Sequence, residues 1–458
     1  MKTKALLIAL MCTLSSFAMT SCGSEDGGSV SYSAKNSADS GRSAEGAKAE
    51  EKADSGDDIE IGAEMAEEDA EIMESPKLAD IESDEADGET ADDAETGEKD
   101  EEIEESEKIE ESEETDDPDT RSDLSDAFVL TAGEWNDNNN WGFFTNLVNN
   151  GVISFPSFSL NPVNRIKVTV QNNGTPVRNR RVQLIGDDGS AVWSSVTDKD
   201  GIAYFFYDSP MDFKIKTEGS DKLEGISTAS TSDEQGNSTA SSTETVIDIA
   251  DEPVEYSKTE VMFILDTTGS MGDEIMYLQK DFSSIAEEVQ KDGMTFSVNF
   301  YRDKGDDYVV KHNGFTSDVK EVQKLLNDES ADGGGDYPEA VAEALNETIV
   351  NGSWSDDSNK IAFLIFDAPP HDDSGEMIYK AISNASERGI HIVPVVASEA
   401  DRQAELFGRA VSIMTNSNYV FLTDDSGVGG SHLEPIIGSY DVELLHDIIV
   451  RNINQIAE

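Results

Sequence analysis

The chain has 458 residues, and its 96 Asp and Glu against 33 Lys and Arg give a formal net charge of −63. A length of this order predicts about three domains. So large a negative field excludes nucleic acid and anionic lipid surfaces as electrostatic partners, and two cysteines, Cys12 and Cys22, exclude a disulfide framework.

Lys2 and Lys4 precede an apolar run at residues 5–11, and small residues follow, which is the order of an export signal. The segment Met19-Thr20-Ser21-Cys22 resembles the lipobox of bacterial lipoproteins, with Met19 where Leu is commoner and Ser21 where Gly or Ala is. The resemblance implies a lipoprotein signal peptide at 1–21, lipidation of Cys22, and an exported, lipid-anchored place in the bacterial cell envelope. The alternative is an ordinary secretory signal with an incidental cysteine. No other apolar run reaches the ~18 residues that a membrane span needs, so the anchor is the one membrane contact expected. Within residues 22–122, positions 51–120 hold 34 acids, four lysines and no aromatic residue. Such a composition cannot bury enough apolar surface to offset chain entropy, and a disordered, self-extending acidic linker is predicted.

Residues 123–160 change character, with Trp135, Trp141, Phe143, Phe144, Phe155 and Phe158 in a short span. Asp137-Asn138-Asn139-Asn140 offers a cap for a helix over 141–148, and the segment is expected to pack onto the domain that follows. Residues 161–252 read as short strands separated by Asn-Gly and Asp-Gly turns, which predicts an antiparallel β-sandwich. Their pattern, from Val168-Thr-Val-Gln-Asn-Asn-Gly174 to Asp198-Lys-Asp-Gly201, resembles the transthyretin-like sandwiches of carboxypeptidase regulatory domains.

From residue 253 to 458 the period changes. Strands are predicted at 261–265, 295–301, 308–315, 361–366, 390–397 and 419–423, with helices at 275–289, 319–326, 338–350, 377–388, 401–415 and 442–456. Alternation of this kind implies a doubly wound, mostly parallel α/β sheet covered on both faces. The fold class is therefore multidomain, with the α/β sheet preceded by the sandwich and the acidic region. In such sheets ligands bind beyond the carboxyl ends of the strands. At the first strand end, Asp266, Thr268 and Ser270 alternate on a loop, so their oxygens can converge on a hard divalent cation.

Asp266-x-Thr268-x-Ser270 resembles the metal-ion-dependent adhesion site of von Willebrand factor type A domains, with Thr at the middle hydroxyl. A second loop, Gly333-Gly-Gly335-Asp336-Tyr-Pro338, places Asp336 where the family has Thr, and a third, Ile365-Phe-Asp367-Ala-Pro-Pro-His371, supplies Asp367. The motifs together look like the subgroup containing hemicentin and the α-kinase-linked domains. The resemblance implies one Mg²⁺, with Mn²⁺ or Ca²⁺ as alternatives, held at Asp266, Thr268, Ser270, Asp336 and Asp367. It also implies a protein or matrix ligand that offers a carboxylate to the metal's open position. An added acid at 336 leaves less uncompensated positive charge, so firmer metal binding and a weaker pull on an acidic partner are expected.

Asp328-x-Ser330-x-Asp332-Gly333 with Glu339 also follows the spacing of an EF-hand loop, although Gly335 and Pro338 stand at positions unsuited to one. His371 after Asp367 invites a hydrolytic reading, but a loop histidine with a local partner accounts for it. The sequence holds no HExxH, CxxC or GxxxxGK[ST] motif, and no enzymatic activity is expected. The competing function classes are an envelope scaffold whose metal is structural and, behind it, a metal-dependent hydrolase.

Overall fold

The computed structural model describes residues 129–155, 158–209, 211–228, 240–335, 337–427 and 430–457. Cys22, the signal segment 1–21, the acidic linker 22–122 and Asp336 lie outside the described residues. The first elements are β1 (Thr131–Trp135) and α1 (Trp141–Asn149). They are followed by β2 (Asn164–Asn172), β3 (Thr175–Pro176), β4 (Arg181–Ile185), β5 (Ala191–Val196), β6 (Ile202–Phe206), β7 (Asp212–Thr217), β8 (Leu223–Ser227) and β9 (Ser241–Asp248).

These strands form two four-stranded sheets, one ordered β3-β2-β6 with β9 on the other edge of β2, the second β5-β4-β7-β8. The sheets are not wholly antiparallel, as expected from the hairpin turns, because β9 runs parallel to β2 with Lys167 opposite Glu244. A parallel pair needs a crossover, and the chain passes through β3–β8 before it returns beside β2.

The α/β part runs β10 (Lys258–Asp266), α2 (Gly272–Val289), β11 (Met294–Tyr301), β12 (Val310–Lys311) and α3 (Val319–Asn327). It continues through α4 (Val341–Leu345), β13 (Ser358–Phe366), α5 (Gly375–Arg388), β14 (Ile390–Val396), α6 (Arg402–Met414), β15 (Tyr419–Thr423), β16 (Glu443–Leu444) and α7 (Leu445–Ala457). Strand β10 carries an unbroken apolar run, Val261 to Leu265, all buried, as a strand covered on both faces must. On α2, Ile275, Leu278, Phe282, Ile285 and Val289 recur at helical spacing and are buried on one stripe. The predicted strand at 308–315 shrinks to β12, because Asn313 satisfies its backbone through side chains: its N–H donates to Asn299 and its carbonyl accepts from Ser297. The predicted helix at 338–350 begins at Val341 and ends in a π-turn at Asn346–Val350. Its start is delayed because the N–H of Glu339 donates to the Pro369 carbonyl instead, at 3.1 Å.

The eight-stranded sheet is ordered β12-β11-β10-β13-β14-β15-β1-β16. Strands β11, β10, β13, β14 and β15 are parallel, and β1 joins antiparallel to β15, with Thr131 opposite Thr423 and Trp135 opposite Tyr419. The aromatic segment thus does two things: α1 and its flanks pack onto the strands that directly follow, where Arg165 donates to the Asn138 carbonyl at 3.1 Å, while β1 joins the distant α/β sheet. Gly133 permits this, since a Cβ there would meet the Phe421 ring at 2.4 Å and Tyr440 at 2.8 Å. One apolar core lies between the sheet and α2, α3 and α7. The core on the other face runs on without a break into the β2–β9 sheets. Trp193 of β5 seals the join by donating to the Ser386 hydroxyl of α5 at 3.0 Å, and Arg165 of β2 lies 3.8 Å from the Trp141 ring of α1.

Candidate functional site

Asp266 ends β10 at the carboxyl edge of the sheet, next to β13, and is fully buried. One of its oxygens, Oδ1, accepts from the Thr268 N–H at 2.9 Å and the Thr268 hydroxyl at 2.7 Å. The turn that follows is pinned from outside: Thr267 donates both its N–H and its hydroxyl to the Tyr301 carbonyl, at 2.8 and 2.9 Å. Ser270, exposed, sits in a 3₁₀ turn that leads into α2. Asp367 follows β13 directly and is buried. The structure therefore brings Asp266, Thr268 and Asp367 together below the exposed Ser270.

The second loop is stitched to the first by backbone bonds, Asp332 N–H to the Thr267 carbonyl at 3.1 Å and Gly269 N–H to the Gly333 carbonyl at 3.3 Å. Gly334 has φ +77°, and a Cβ on it would stand 3.1 Å from Glu339 Oε1 and 3.4 Å from the Thr268 Cβ. Glu339 thus belongs to this cluster, and not to a loop with Asp328 and Asp332, whose side chains are exposed. Asp306 accepts from the Gly334 N–H at 2.9 Å and from the Asp303 N–H at 3.0 Å, which fixes the loop from below. His371 bonds Asp303 at 2.6 Å, the local partner expected of a loop histidine.

The electrostatics are those of crowded acids. Burial, then the neighbouring Asp367, pushes the Asp266 carboxyl up to about 7. Burial likewise raises Asp367 to about 6, against the pull of a Ser270 hydroxyl bond. Glu339 is pushed up to about 9 by burial and then by Asp266, Asp303 and Asp367. Asp266 Oδ2, Asp367 Oδ1 and Glu339 Oε2 are buried with no hydrogen-bond partner. Buried carboxylate oxygens ordinarily have partners, so three in one place fit a cation that supplies the missing charge. Among the described residues, no group of three or more His, Cys, Asp or Glu is arranged to hold a metal ion. The Thr268 and Ser270 hydroxyls are the further oxygens at hand.

Sequence reasoning missed Glu274 altogether and met Glu339 only as the last position of a competing EF-hand spacing. Glu274 is buried in the first turn of α2, accepts from the Ser398 hydroxyl at 2.6 Å, and leaves Oε2 unpartnered. Its signal was available: with Met271, Ile275 and Leu278 it falls on the buried helical stripe, where an acid demands a reason.

Residues 260–432 match the family model described as von Willebrand factor A domain. The C-terminal region is therefore a von Willebrand factor A domain, built on a mixed sheet. A stretch of 114 residues, 24% of the chain, is 28% identical to a protein of Acanthamoeba polyphaga mimivirus named as an ariadne-like RING finger protein. The chain spans only 11% of that protein's length.

Proposed function

We propose that the protein captures a protein or matrix ligand through Mg²⁺ bound at the carboxyl edge of the α/β sheet, with Mn²⁺ or Ca²⁺ as substitutes. Asp266, Thr268, Ser270 and Asp367 hold the ion, and Asp336 from the second loop completes the set. The observation that carries this reading is the trio of buried, partnerless carboxylate oxygens beside the Thr268 hydroxyl. When bound, the ion neutralises these acids and offers one open position to a carboxylate of the partner. Glu339 and Glu274 add negative charge beside the site. The domain resembles the hemicentin and α-kinase-linked group. The β2–β9 sheets form a transthyretin-like sandwich that supports the domain, and Cys22 anchors the whole at the bacterial envelope through lipid. The protein acts by binding and not by catalysis.

Titration calorimetry of Mg²⁺ into the wild type and Asp266→Asn tests the site, and pull-down from envelope or matrix extracts with and without EDTA tests the ligand. Saturable Mg²⁺ binding that Asp266→Asn abolishes is expected, and heat unchanged by the substitution would refute the assignment. A second reading, an envelope scaffold with structural metal, draws on the way the site joins the ends of β10 and β13 to the second loop. In that case EDTA lowers the melting temperature while partner binding persists.

A further inference from the structure

The opposite end of the same sheet carries a second, differently charged site. A cleft of about 720 Å³ opens between the β2–β9 sheets and the amino ends of β13 and β14. It is roughly 20 Å from Asp266, given six or so residues of strand between them. In a chain of net charge −63, its lining is cationic: Arg178, Arg181, Lys199, Lys216, Lys360 and Arg388, with His391 beside them.

Four acids also line it, and three are occupied by their own wall. Asp198 accepts from the N–H groups of Asp200 and Ile202 and from Asn416 Nδ2. Asp200 pairs with Lys199 at 3.0 Å, and Glu218 accepts from the Arg181 N–H. The fourth, Asp356, acts on Lys360 and Arg388 through space, as does the buried Glu260, which stands opposite Lys360 on β10 and is the largest opposing charge on it. Lys360 is the one buried cation of this lining. It is 4% exposed, yet its ammonium has one bond, to the Ser358 carbonyl at 2.9 Å. An ammonium carries three donors, and no carboxylate among the described residues bonds to this one. Burial lowers its pKa to about 8. Arg388 spends its guanidinium on two backbone carbonyls, Ile349 at 2.9 Å and Trp354 at 3.2 Å, and gains no counterion there. A buried cation is ordinarily paired; Lys360 has the half-buried Arg388 beside it and Glu260 near but not bonded to it, so its remaining donors form a seat for an anion.

We propose that this cleft binds a small oxyanion-bearing ligand, a carboxylate or a phosphate, whose negative group sits on Lys360 and Arg388. The volume suits a ligand of sugar-acid or sugar-phosphate size, and charge-assisted bonds from a buried ammonium are the stronger kind. The site is independent of the metal edge and goes beyond the adhesion reading, since none of its residues belongs to that cluster.

The test is calorimetry of the full chain in EDTA, with inorganic phosphate and glucuronate as separate probes. Saturable binding of either supports the proposal, and the tighter probe tells phosphate from carboxylate. Lys360→Met should weaken binding at least ~10-fold, as loss of a charge-assisted bond does. Because that variant removes a buried side chain, Lys216→Gln, exposed at the rim, serves beside it and should weaken binding by a factor of ~3. Lys320→Gln on α3 should change nothing. Absence of binding for both probes up to ~10 mM, an affinity too weak for a built site, would overturn the proposal. So would an equal loss in Lys320→Gln, which would mark a bulk charge effect.

Discussion

Two clusters of buried charge sit in one domain and obey opposite rules. Arg409 is wholly buried on α6, and its guanidinium donates to both oxygens of Asp137 at 2.9 Å, to Glu405 at 3.3 Å and to the Ile436 carbonyl at 2.8 Å. Asp137 also accepts from the Trp135 indole, and Glu405 from the Ile436 N–H and Arg402. Every charged atom there has an answer inside the chain. At the edge of β10 and β13 the acids find only hydroxyl and backbone N–H partners and no cation, and oxygens of Asp266, Asp367 and Glu339 are left over. A closed network holds the fold; the open one is where the proposed ion would act.

Breaking the closed network should have the largest effect. Arg409→Met leaves Asp137 and Glu405 buried without a counterion, and a loss of ~3–5 kcal/mol is expected by chemical denaturation. A loss near zero would erase the contrast between the clusters. Asp266→Asn should behave in the opposite sense: in EDTA the denaturation midpoint stays level or rises, because repulsion is relieved, while Mg²⁺ affinity falls at least ~10-fold. Asp336→Thr should raise partner affinity in Mg²⁺ by a factor of ~5, since one anion fewer leaves more positive charge for the ligand. A drop with metal still bound refutes the idea that this acid damps the pull.

The smallest effect concerns His391, whose pKa burial lowers despite its bond to the Asn416 carbonyl. A histidine depressed in the folded state favours folding while neutral. Its contribution is complete above the unfolded value of about 6.5 and is lost as pH falls through that value toward the lowered one. A decline across that window is expected, and His391→Gln should flatten it in a pH series of denaturation curves.

The α/β core was legible because its signals are local and dense. The apolar run before Asp266, the stripe on α2 and the strand-end acids each follow from burial on both faces of a parallel sheet. Strand β1 was not legible: Thr131-Ala-Gly-Glu-Trp135 has no alternation worth the name, and its partners lie almost three hundred residues away. Its membership depends on Gly133 fitting under Phe421 and Tyr440, a relation between distant residues that no local pattern carries. Glu339 was misplaced for a similar reason. Its spacing from Asp328 matched a familiar loop, whereas the bond from its N–H to Pro369 turned it toward Thr268. Spacing along the chain names candidates, and long-range backbone bonds choose among them.

The insertion of β1 beside β15 also sets when the chain can fold. The first described strand has no place to dock until residues 419–423 exist, and Asp137 has no arginine until residue 409 does. Pairings of such sequence separation close slowly, so the docking of β1 onto β15 is expected to come late. A fragment cut at residue 253 would leave one edge of β15 bare and Arg409 buried without Asp137, which is a recipe for aggregation through the open edge. The smallest piece that folds cleanly begins before Thr131.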